Sequence, residues 1–464
     1  ASGGGQRGRG GQPGAPGSHL RFTDQPDQRV DRFPEGRCGC GNDLATAVER
    51  GTARDLGVVD RYQQVDIPLV TATVTQYDQH VLACGCGTVH AAARPGGARP
   101  GPVGYGPNLQ AWCVYLMVVH HVPVARCVEL LASLTGAAPS TGFVHGLLAR
   151  AAAALAAAHD RIRALISLCA VVVMDETPLK VGPRLPRPGR KKAERYLLVA
   201  CTDLYAHFLL GDRDLQTFQA SVLSELAAAG ATVVHDRYSL YDHDFFNPVP
   251  GDPLADGDPD GTDPTGSVEF LGLVHQICTQ HLLRDLTAAG ETYPDEHWPA
   301  QIADALRGLI HHTNLTRHAT ALATDGDGAR GHDAVHCHYC EPPAGPALPT
   351  VPELLDLVRQ GVAVGLSATP THGTRPGQRP ARLVLEFLRD RQDDVLRFLT
   401  DPAVPATSND AERELRPSKI QQNISGRLTS ETVTQDRYTI LGYLRTAAKH
   451  GRAAMTTLRD VMTG

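Results

Sequence analysis

The spacing of apolar residues changes along the chain and predicts a helical block followed by strands. Apolar positions recur at helical intervals in three stretches, and these predict helices over Leu109–His121, Val124–Leu134 and Gly142–Leu165. Pro123 suits the first position of the second helix, because a proline there loses no hydrogen bond. Ser140 is typical of the residue that caps the start of the third helix.

From residue 168 on, short apolar runs rich in β-branched residues replace the helical pattern. Leu168–Asp175, Tyr196–Thr202 and Ala206–Leu210 predict three strands, Leu215–Ala229 predicts a helix, and Ala231–His235 predicts a fourth strand. Three strands, a helix and a further strand are the order of a ribonuclease H-like core. The predicted fold class is therefore α/β, with a mixed sheet of this type.

The second half of the chain is predicted to be mostly helical. Helical periodicity extends over residues 268–399, and Leu383–Leu399 has the pattern of a strong amphipathic helix. A further helix is predicted to begin at Asp410, and the chain is expected to end in a helix near Ile440–Leu458.

Composition places the chain among ordinary globular proteins. Its 464 residues are enough for several domains. No apolar run approaches the roughly 20 residues of a membrane helix, and the N-terminus lacks the apolar segment of a signal peptide. We therefore expect a cytoplasmic protein whose 11 cysteines serve as thiols or metal ligands. The net charge of −6 excludes a uniformly basic nucleic-acid binder but leaves room for local basic patches.

Two pairs of cysteines enclose a segment, Asp60–Tyr77, in which apolar and polar residues alternate as in a β-hairpin. Thiol pairs on glycine turns around a hairpin are the layout of a zinc ribbon. The predicted Zn²⁺ ligands are Cys38, Cys40, Cys84 and Cys86. The C-x-C spacing is one residue shorter than the usual C-x-x-C. The alternatives are a metal-free module with buried cysteines, or a site in which His80 or His90 replaces one thiol.

Two further features are candidates for contact with nucleic acid. The short turn Gly136–Pro139 between two helices is typical of a helix-turn-helix, with a plain helical hairpin as the alternative. The Pro-rich loop over residues 183–195 carries Arg190, Lys191 and Lys192. These side chains would either bind phosphate groups or form a solvated charged surface.

Two carboxylates, Asp175 and Asp236, each follow an apolar strand. In a ribonuclease H-like sheet the first and fourth strands lie side by side, so both acids would meet at one edge of the sheet. Two carboxylates at such a short distance repel each other unless a cation lies between them. Mg²⁺ prefers oxygen ligands and keeps positions open for water and phosphate oxygens, which suits phosphodiester chemistry. The alternative is that both acids cap turns or helices.

A third carboxylate from a later helix would complete such a site, and Glu412 is the candidate. Asn409 to Glu412 also has the N-x-x-E form of a capping box, in which the glutamate bonds back to the start of its helix. Nothing in the local sequence separates Glu412 from Glu176, Glu269 or Glu386.

Four motifs occur in order along the chain. They are Asp175-Glu176-Thr177, then His235-Asp236-Arg237-Tyr238 with Tyr241, then His275-Gln276-Ile277-Cys278-Thr279-Gln280-His281-Leu282-Leu283-Arg284-Asp285, and finally Pro405-Ala406-Thr407-Ser408-Asn409-Asp410-Ala411-Glu412-Arg413-Glu414-Leu415-Arg416-Pro417 with Lys419 and Ile424-Ser425-Gly426. Together they resemble the transposases of the bacterial insertion-sequence family numbered sixty-six. The resemblance covers roughly residues 11–455.

The resemblance implies a ribonuclease H-like fold whose catalytic set is Asp175, Asp236 and Glu412, holding Mg²⁺ or Mn²⁺. It implies hydrolysis at the transposon ends and then attack of a 3′-hydroxyl on target DNA, with no covalent protein–DNA intermediate. The expected partners are double-stranded DNA carrying terminal repeats or target sequence, further copies of the chain, and accessory transposition proteins. The expected location is the bacterial cytoplasm at the nucleoid, without a membrane. The alternatives are a domesticated metal-dependent nuclease and an inactive DNA-binding protein.

The resemblance also points to residues around these acids. Lys419, seven residues after Glu412, is expected to contact DNA, although Pro417 between them is expected to disturb the helix. Arg413 and Arg416 would bind phosphate or form a solvated helix face. Cys278 and His281, with His275, have the spacing of one helix side. They would either pack that helix near the active site or bind zinc with the cluster His336, Cys337, His338 and Cys340.

The chain departs from the family pattern in several places. It has C-x-C in place of C-x-x-C, Arg237 where glycine often follows the second acid, and Ser408-Asn409-Asp410 where an asparagine pair is usual. It shows no heptads of an N-terminal coiled coil, so we expect a truncated N-terminus. None of these departures affects the three acids.

These patterns divide the chain into predicted domains. The core is preceded by a zinc-ribbon-like module and a helix-turn-helix-like block, and it contains a large helical insertion. In chain order the predicted parts are a disordered Gly-rich stretch (1–36), a Cys-pair module (37–90), a helical DNA-binding block (107–166), the catalytic core (168–246 and 405–430), an acidic loop with the helical insertion (247–404), and a C-terminal helical tail (431–464).

Overall fold

The structure, a computed structural model, describes residues 22–67, 69–98, 101–248, 271–325, 349–373 and 375–464. The chain divides into two compact units, one ending at Val70 and the other beginning at Thr71. Most of the predicted Gly-rich stretch, most of the acidic loop and the cluster His336 to Cys340 lie outside the described residues.

The described residues of the first unit form one short helix, α1 (Leu44–Ala47), which Asp43 caps by accepting the Ala45 N–H. The predicted hairpin over Asp60–Tyr77 is wrong, because no described residue there belongs to a strand and nearly all are exposed. Alternation of apolar and polar residues makes a hairpin only where one face is covered.

A two-stranded hairpin does occur, but later, where β1 (Val81–Ala83) pairs antiparallel with β2 (Val89–Ala91). The second cysteine pair forms the turn between these strands. The hairpin thus carries one cysteine pair at its tip instead of lying between the two pairs.

Three helices follow as predicted to within a few residues: α2 (Pro107–Val118), α3 (Val124–Thr135) and α4 (Thr141–Ser167). Pro123 is the cap of α3 and not its first residue. Ser140 caps α4 as predicted, since its side chain accepts the Phe143 N–H. The helix-turn-helix interpretation stays a prediction.

Among the described helices, α4 alone is long and apolar enough to cross a membrane by length and composition, contrary to the expectation from sequence. Core helices of soluble proteins share these properties. One face of α4 is buried, and the helix packs against α2, against a strand of the main sheet and against a C-terminal helix.

The main sheet has five strands. They are β3 (Val171–Leu179), β4 (Arg195–Cys201), β5 (Ala206–Gly211), β6 (Thr232–His235) and β7 (Val274–Ile277), in the spatial order β5-β4-β3-β6-β7. The first three pair antiparallel, whereas β6 runs parallel to β3 and β7 runs parallel to β6. This mixed sheet is compatible with a ribonuclease H-like core.

Both faces of the sheet are buried, which explains the nearly continuous apolar runs. Val173 and Val199 belong to one buried cluster with the helices α2 and α4, whereas Val172 and Leu198 belong to another with Phe218. Side chains alternate between faces along a strand. The same alternation places Asp175 on the face of Val173 and the next residue on the opposite face.

Three predictions for this region need correction. The strand β3 does not end at Asp175 but continues to Leu179, because β4 pairs with it along its whole second half. The predicted helix Leu215–Ala229 is two helices, α5 (Leu215–Ala220) and α6 (Leu223–Ala228), separated at Ser221.

The third correction concerns His275 to Cys278, which was predicted to be helical. His275 lies in β7, Cys278 caps the following helix, and only His281 lies within that helix, α7 (Thr279–Thr292). Two residues of β7, His275 and Gln276, are polar but buried, and the sheet accepts them because their side chains find hydrogen-bond partners.

The insertion is helical, as predicted. It contains α7, α8 (Trp298–Asp325), α9 (Val351–Ala368), α10 (Gln378–Asp390), α11 (Gln392–Leu396) and a 3-10 turn (Arg397–Leu399). The predicted helix Leu383–Leu399 is therefore interrupted at Arg391.

Three helices end the chain: α12 (Asn409–Ile424), α13 (Glu431–Lys449) and α14 (Ala454–Thr463). The helix α12 packs against β3 and β4 and continues through Pro417, so the expected disturbance does not end it. Its cap is Ser408, and Asn409 is already helical. The capping-box alternative for Glu412 is therefore wrong.

Gln276 on β7 is fully buried and connects the sheet to the insertion. Its Nε2 donates to the Val395 carbonyl at 2.9 Å, and its Oε1 accepts the Phe398 N–H at 2.9 Å. We expect Gln276→Leu to lower the free energy of unfolding by about 3 kcal/mol, because it leaves both backbone groups buried without partners.

Chemical denaturation of the full chain measures this loss. Gln216→Leu, at an exposed position of α5, is the matched control and should change little. Equal stability of the two variants would contradict the assigned connection.

Candidate functional site

Two aspartates meet at one edge of the sheet. Val173 of β3 pairs in register with Val234 of β6, so Asp175 and Asp236, each two residues further on, follow the same register. The prediction that the first and fourth strands lie side by side is confirmed. Asp175 lies inside β3 and Asp236 follows β6 directly, because β6 ends at His235 whereas β3 continues past Asp175 to Leu179.

The pKa of the Asp175 carboxyl rises from 3.8 to about 6. Burial is the main cause, and the charge of Asp236 is the next. Its Oδ1 accepts the Glu176 N–H at 2.9 Å, while the charges of His281 and Lys419 act in the opposite direction without restoring the ordinary value. The charges of His281 and Lys419 therefore do not offset the burial of Asp175 and the neighbouring charge of Asp236.

Asp236 also serves the turn that follows it, as one of the sequence alternatives proposed. Its Oδ1 accepts the Tyr238 N–H at 2.9 Å. Its Oδ2 lies 3.9 Å from the Arg213 guanidinium. One carboxylate oxygen is thus used by the turn, and the other faces the cluster of charges.

A third acid, Glu176, belongs to this cluster; the sequence named it only as one alternative to Glu412 and assigned it no role. Its side chain is 1% exposed, and the Arg213 guanidinium donates to its Oε1 at 2.9 and 2.7 Å. The Tyr241 hydroxyl donates to its Oε2 at 3.4 Å. Burial, and then the charge of Asp236, raises the pKa of Glu176 to about 7 in spite of Arg213.

Arg213 is held in place from a second side. Its guanidinium stacks on the Tyr238 ring, 3.6 Å from the ring centre. A signal for this network was present in the sequence, since an acid within an apolar strand needs a buried partner. The sequence could not say which arginine would supply it.

Glu412 lies in the first turn of α12, and its side chain is 30% exposed. Its nearest cation is Arg416, at 3.9 Å. Within either unit, the described residues include no group of three His, Cys, Asp or Glu side chains close enough to hold a metal ion. The two aspartates are thus paired by the sheet, and Glu412 is not gathered with them.

A joint between β7, α7 and α12 places Glu412 near this edge of the sheet. The Cys278 Sγ accepts the Ser408 N–H at 3.2 Å, and the Cys278 N–H donates to the His235 carbonyl at 2.8 Å. Thr279 donates through its N–H and its hydroxyl to the Ala406 carbonyl, at 3.0 and 2.8 Å. Hydrogen bonds therefore connect the start of α12 to the end of β7, the neighbour of the strand β6 that Asp236 follows.

Cys278 and His281 are neighbours within this joint, where the His281 N–H donates to the Cys278 carbonyl at 3.2 Å. Burial raises the pKa of the Cys278 thiol, but hydrogen bonding with His281 and Ser408 lowers it by more. The net pKa lies below the ordinary value. The bond to Cys278, opposed by burial and aided by the charge of Asp236, raises the pKa of His281. This arrangement matches the alternative in which the cysteine packs the helix and the histidine lies near the acids.

Three of the predicted DNA-contacting residues lie on α12 and differ in their charged neighbours. Lys419 is exposed on α12, close enough for its charge to act on Asp175. Arg413 pairs with Asp410 at 3.3 Å, one turn earlier on the same exposed helix face. Arg416 faces Glu412, as described above. Their contact with DNA stays a prediction.

The basic loop before β4 is partly neutralised by the protein itself. Arg190 lies 2.6 Å from Asp214 and 3.2 Å from Asp212, and Lys192 lies 3.9 Å from Glu194. Lys191 is exposed. Any phosphate that bound here would compete with these carboxylates for Arg190.

The two C-x-C turns have the same local geometry. In the first, the Cys38 N–H donates to the Asn42 carbonyl and the Gly41 N–H to the Cys38 carbonyl; in the second, Cys84 bonds Thr88 and Gly87 bonds Cys84 in the same way. Gly41 and Gly87 both have a φ of 88°, which favours glycine. All four thiols are exposed, so the alternative of buried cysteines is wrong.

The donor set at the sheet edge fits a hard divalent cation. All the donors are carboxylate oxygens, and Mg²⁺ in proteins commonly uses only one or two carboxylates and completes its shell with water and substrate phosphates. Burial, and then the charge of Asp236, raises the pKa of Asp175, and a cation beside the pair would oppose both effects.

A protein-family model described as "Transposase IS66 family" matches residues 103–333 and 358–436 of the chain. The matched segments make up more than half of the chain and include Asp175, Asp236 and Glu412. No curated protein matches the chain.

The pKa of Asp175 makes a prediction for stability. Because its folded-state value of about 6 lies above the ordinary 3.8, the folded chain favours the protonated form, and stability is lost as the pH rises between these values. We expect Asp175→Asn, without divalent cations, to raise the free energy of unfolding near pH 7.5 by on the order of 2 kcal/mol and to leave it unchanged near pH 4.

Chemical denaturation at the two pH values measures the difference. Asp393→Asn, which removes an exposed carboxylate from α11, is the control and should show no such pH dependence. A stabilisation by Asp175→Asn of equal size at both pH values would show that charge is not its cause.

Proposed function

The chain belongs to the IS66 family of transposases, and we propose that it is a DDE transposase that acts on the ends of an insertion sequence. The proposed catalytic carboxylates are Asp175, Asp236 and Glu412, with Mg²⁺ or Mn²⁺ as the cofactor. A water oxygen attacks the phosphorus at the transposon end and the bond to the 3′-oxygen breaks. The freed 3′-hydroxyl then attacks a target phosphodiester in the same way.

One observation carries this proposal: neighbouring parallel strands set Asp175 beside Asp236 in a place where burial and mutual repulsion raise the pKa of Asp175 to about 6. Without a bound cation, such a pair of carboxylates destabilises the folded chain. Divalent cations, when bound there, would activate the attacking oxygen and stabilise the leaving one.

The remaining groups have roles that follow from their positions. Asp175 and Asp236 hold the cations, and Glu412 supplies a further oxygen from α12. Lys419, exposed and within electrostatic range of Asp175, would contact a phosphate of the bound strand. Arg213 acts on Asp236 through its position, since it also binds Glu176.

The proposed substrate is double-stranded DNA, both the terminal repeats of the element and the target. Two ends must be joined to one target, so we propose that copies of the chain associate on DNA, with accessory transposition proteins as further partners. The proposed place of action is the bacterial cytoplasm at the nucleoid.

We also propose that Cys38, Cys40, Cys84 and Cys86 bind Zn²⁺. The support is the identical turn geometry of the two pairs and the exposure of all four thiols. Hydrogen bonds lower the pKa of Cys86 to about 7, with the Thr88 side chain as the largest cause, so that the thiolate needed for zinc is accessible.

Substitution of the acids tests the catalytic proposal. We expect Asp175→Asn, Asp236→Asn and Glu412→Gln each to reduce Mg²⁺-dependent cleavage of DNA carrying the element's ends by about 10³-fold or more, because each removes a carboxylate from the metal site. Asp410→Asn, two residues before Glu412 and exposed, is the matched control and should retain activity.

Thermal melting with and without Mg²⁺ gives a second readout that does not depend on activity. Mg²⁺ should stabilise the unsubstituted chain and have little effect on Asp175→Asn. Equal cleavage by wild type and Asp175→Asn would refute the assignment. Cleavage without strand transfer would favour the nuclease alternative, and binding without cleavage would favour the inactive DNA-binding protein.

Metal analysis tests the zinc proposal separately. The purified chain should carry about one Zn²⁺, as expected for a site with four cysteine ligands, and Cys38→Ser with Cys84→Ser should lose it. Cys169→Ser, at a partly buried cysteine outside both pairs, is the control. Zinc content unchanged by the double substitution would refute this site.

A further inference from the structure

A cleft of about 500 Å³ lies between α7, α8 and the segment Pro405–Asn409 that leads into α12. Three arginines line it: Arg284 from α7, and Arg307 and Arg317 from α8. We call it the arginine cleft. The other residues that line it, Asn409 among them, are uncharged.

The charge of the arginine cleft contrasts with that of the chain. No aspartate or glutamate is among its lining residues, although the chain as a whole carries a net charge of −6. Three guanidinium groups around one opening repel each other, and the lining itself offers only neutral hydrogen-bonding groups in return. An anion in the cleft would relieve this repulsion.

The three arginines differ in how firmly they are held. Arg317 donates to the carbonyls of Pro402, at 2.8 Å, and Val404, so it belongs to the wall of the cleft. Arg307 is exposed and has one partner, Asp304, at 2.6 Å one turn earlier on the same helix. Arg284 is exposed, and among the described residues no carboxylate pairs with it. Arg284 and Arg307 are therefore the groups available to a ligand.

The position of the arginine cleft identifies the anion. Asn409, at the edge of the cleft, is three residues before Glu412 in the chain. The charge of Arg284 acts to lower the pKa of His281, and the charge of Asp236 acts on the same histidine in the opposite direction. The cleft thus lies close to the acids. A strand of DNA that reached the acids would have its neighbouring phosphates within the field of these arginines.

We propose that the arginine cleft binds a backbone phosphate of the DNA substrate, with Arg284 and Arg307 as its ligands and Arg317 as a fixed positive charge. The guanidinium group suits this task because its planar set of donors matches the oxygens of a phosphate. The contact positions the DNA strand for the acids but reads no base, so it is independent of sequence. This inference rests on the proposed function.

The test compares DNA binding of full-length chains that all carry Asp175→Asn, so that no DNA is cut. The variant is the double substitution Arg284→Gln with Arg307→Gln, and the probes are one duplex with the element's end and one of unrelated sequence. We expect the dissociation constant to rise by about tenfold or more on both duplexes, and the slope of log K against log salt to fall by about 1 to 2.

Arg359→Gln with Arg389→Gln is the matched control. Both are exposed helical arginines that pair with a nearby acid, as Arg307 does, and they lie on α9 and α10 away from the lining of the cleft. Equal weakening by the control would assign the effect to net charge and overturn the proposal. Unchanged binding and slope in the cleft variant would overturn it as well.

A second double variant, Arg284→Lys with Arg307→Lys, is the control for loss of folding. It keeps both charges, so it should retain the salt dependence while binding DNA more weakly than the chain with both arginines does.

The outcomes also separate the two proposals. If the unsubstituted chain cuts DNA and the cleft variant binds as well as the control, only the arginine cleft fails. If the unsubstituted chain neither binds nor cuts DNA, both proposals fail.

Discussion

The candidate site depends on the parallel pairing of β3 with β6, which sets two carboxylates side by side. A sheet can accept Asp175 beside Asp236 in this register only at an energetic cost, because burial and the charge of Asp236 both disfavour the charged form of Asp175. The cost appears as the raised pKa of Asp175. The proposed divalent cation would remove both causes together, since it would supply opposite charge and replace the lost hydration. Cation binding and the stability of the sheet edge are therefore linked.

The cations of the protein itself do not neutralise the pair, and their geometry explains why. Arg213 gives both of its short hydrogen bonds to Glu176 and stacks on Tyr238, so it reaches Asp236 only at 3.9 Å. Lys419 is exposed, and water weakens its effect. Glu176 thus holds Arg213 at a distance from Asp236 and leaves room beside that carboxylate for the proposed cation. The network is built from side chains on opposite faces of one strand.

The order of the strands could be predicted from sequence, because β-branched runs of the right length are easily seen and few sheets accommodate that order. The end of β3 could not, since Asp175 and Glu176 interrupt the apolar pattern while the backbone continues to pair with β4. The strand β7 was missed for a related reason: Gln276 is polar, yet it is buried because Val395 and Phe398, more than a hundred residues away, satisfy its amide. Partners so distant leave no local trace. The pairing of Asp175 with Asp236 followed from topology, whereas Glu412 was identified only through the resemblance.

In the proposed metal site Glu412 has to reach the cation, and the structure limits how it can do so. The start of α12 is tied to Cys278 and to Thr279 through Ala406, and the helix packs along β3 and β4. A shift of the whole helix would break these buried contacts. A rotation of the Glu412 side chain would break only its 3.9 Å contact with Arg416, which is exposed and contributes less than about 1 kcal/mol. We therefore infer that Glu412 reaches the cation by side-chain rotation on a stationary helix. A structure with Mg²⁺ and DNA in which α12 had moved relative to β3 would contradict this.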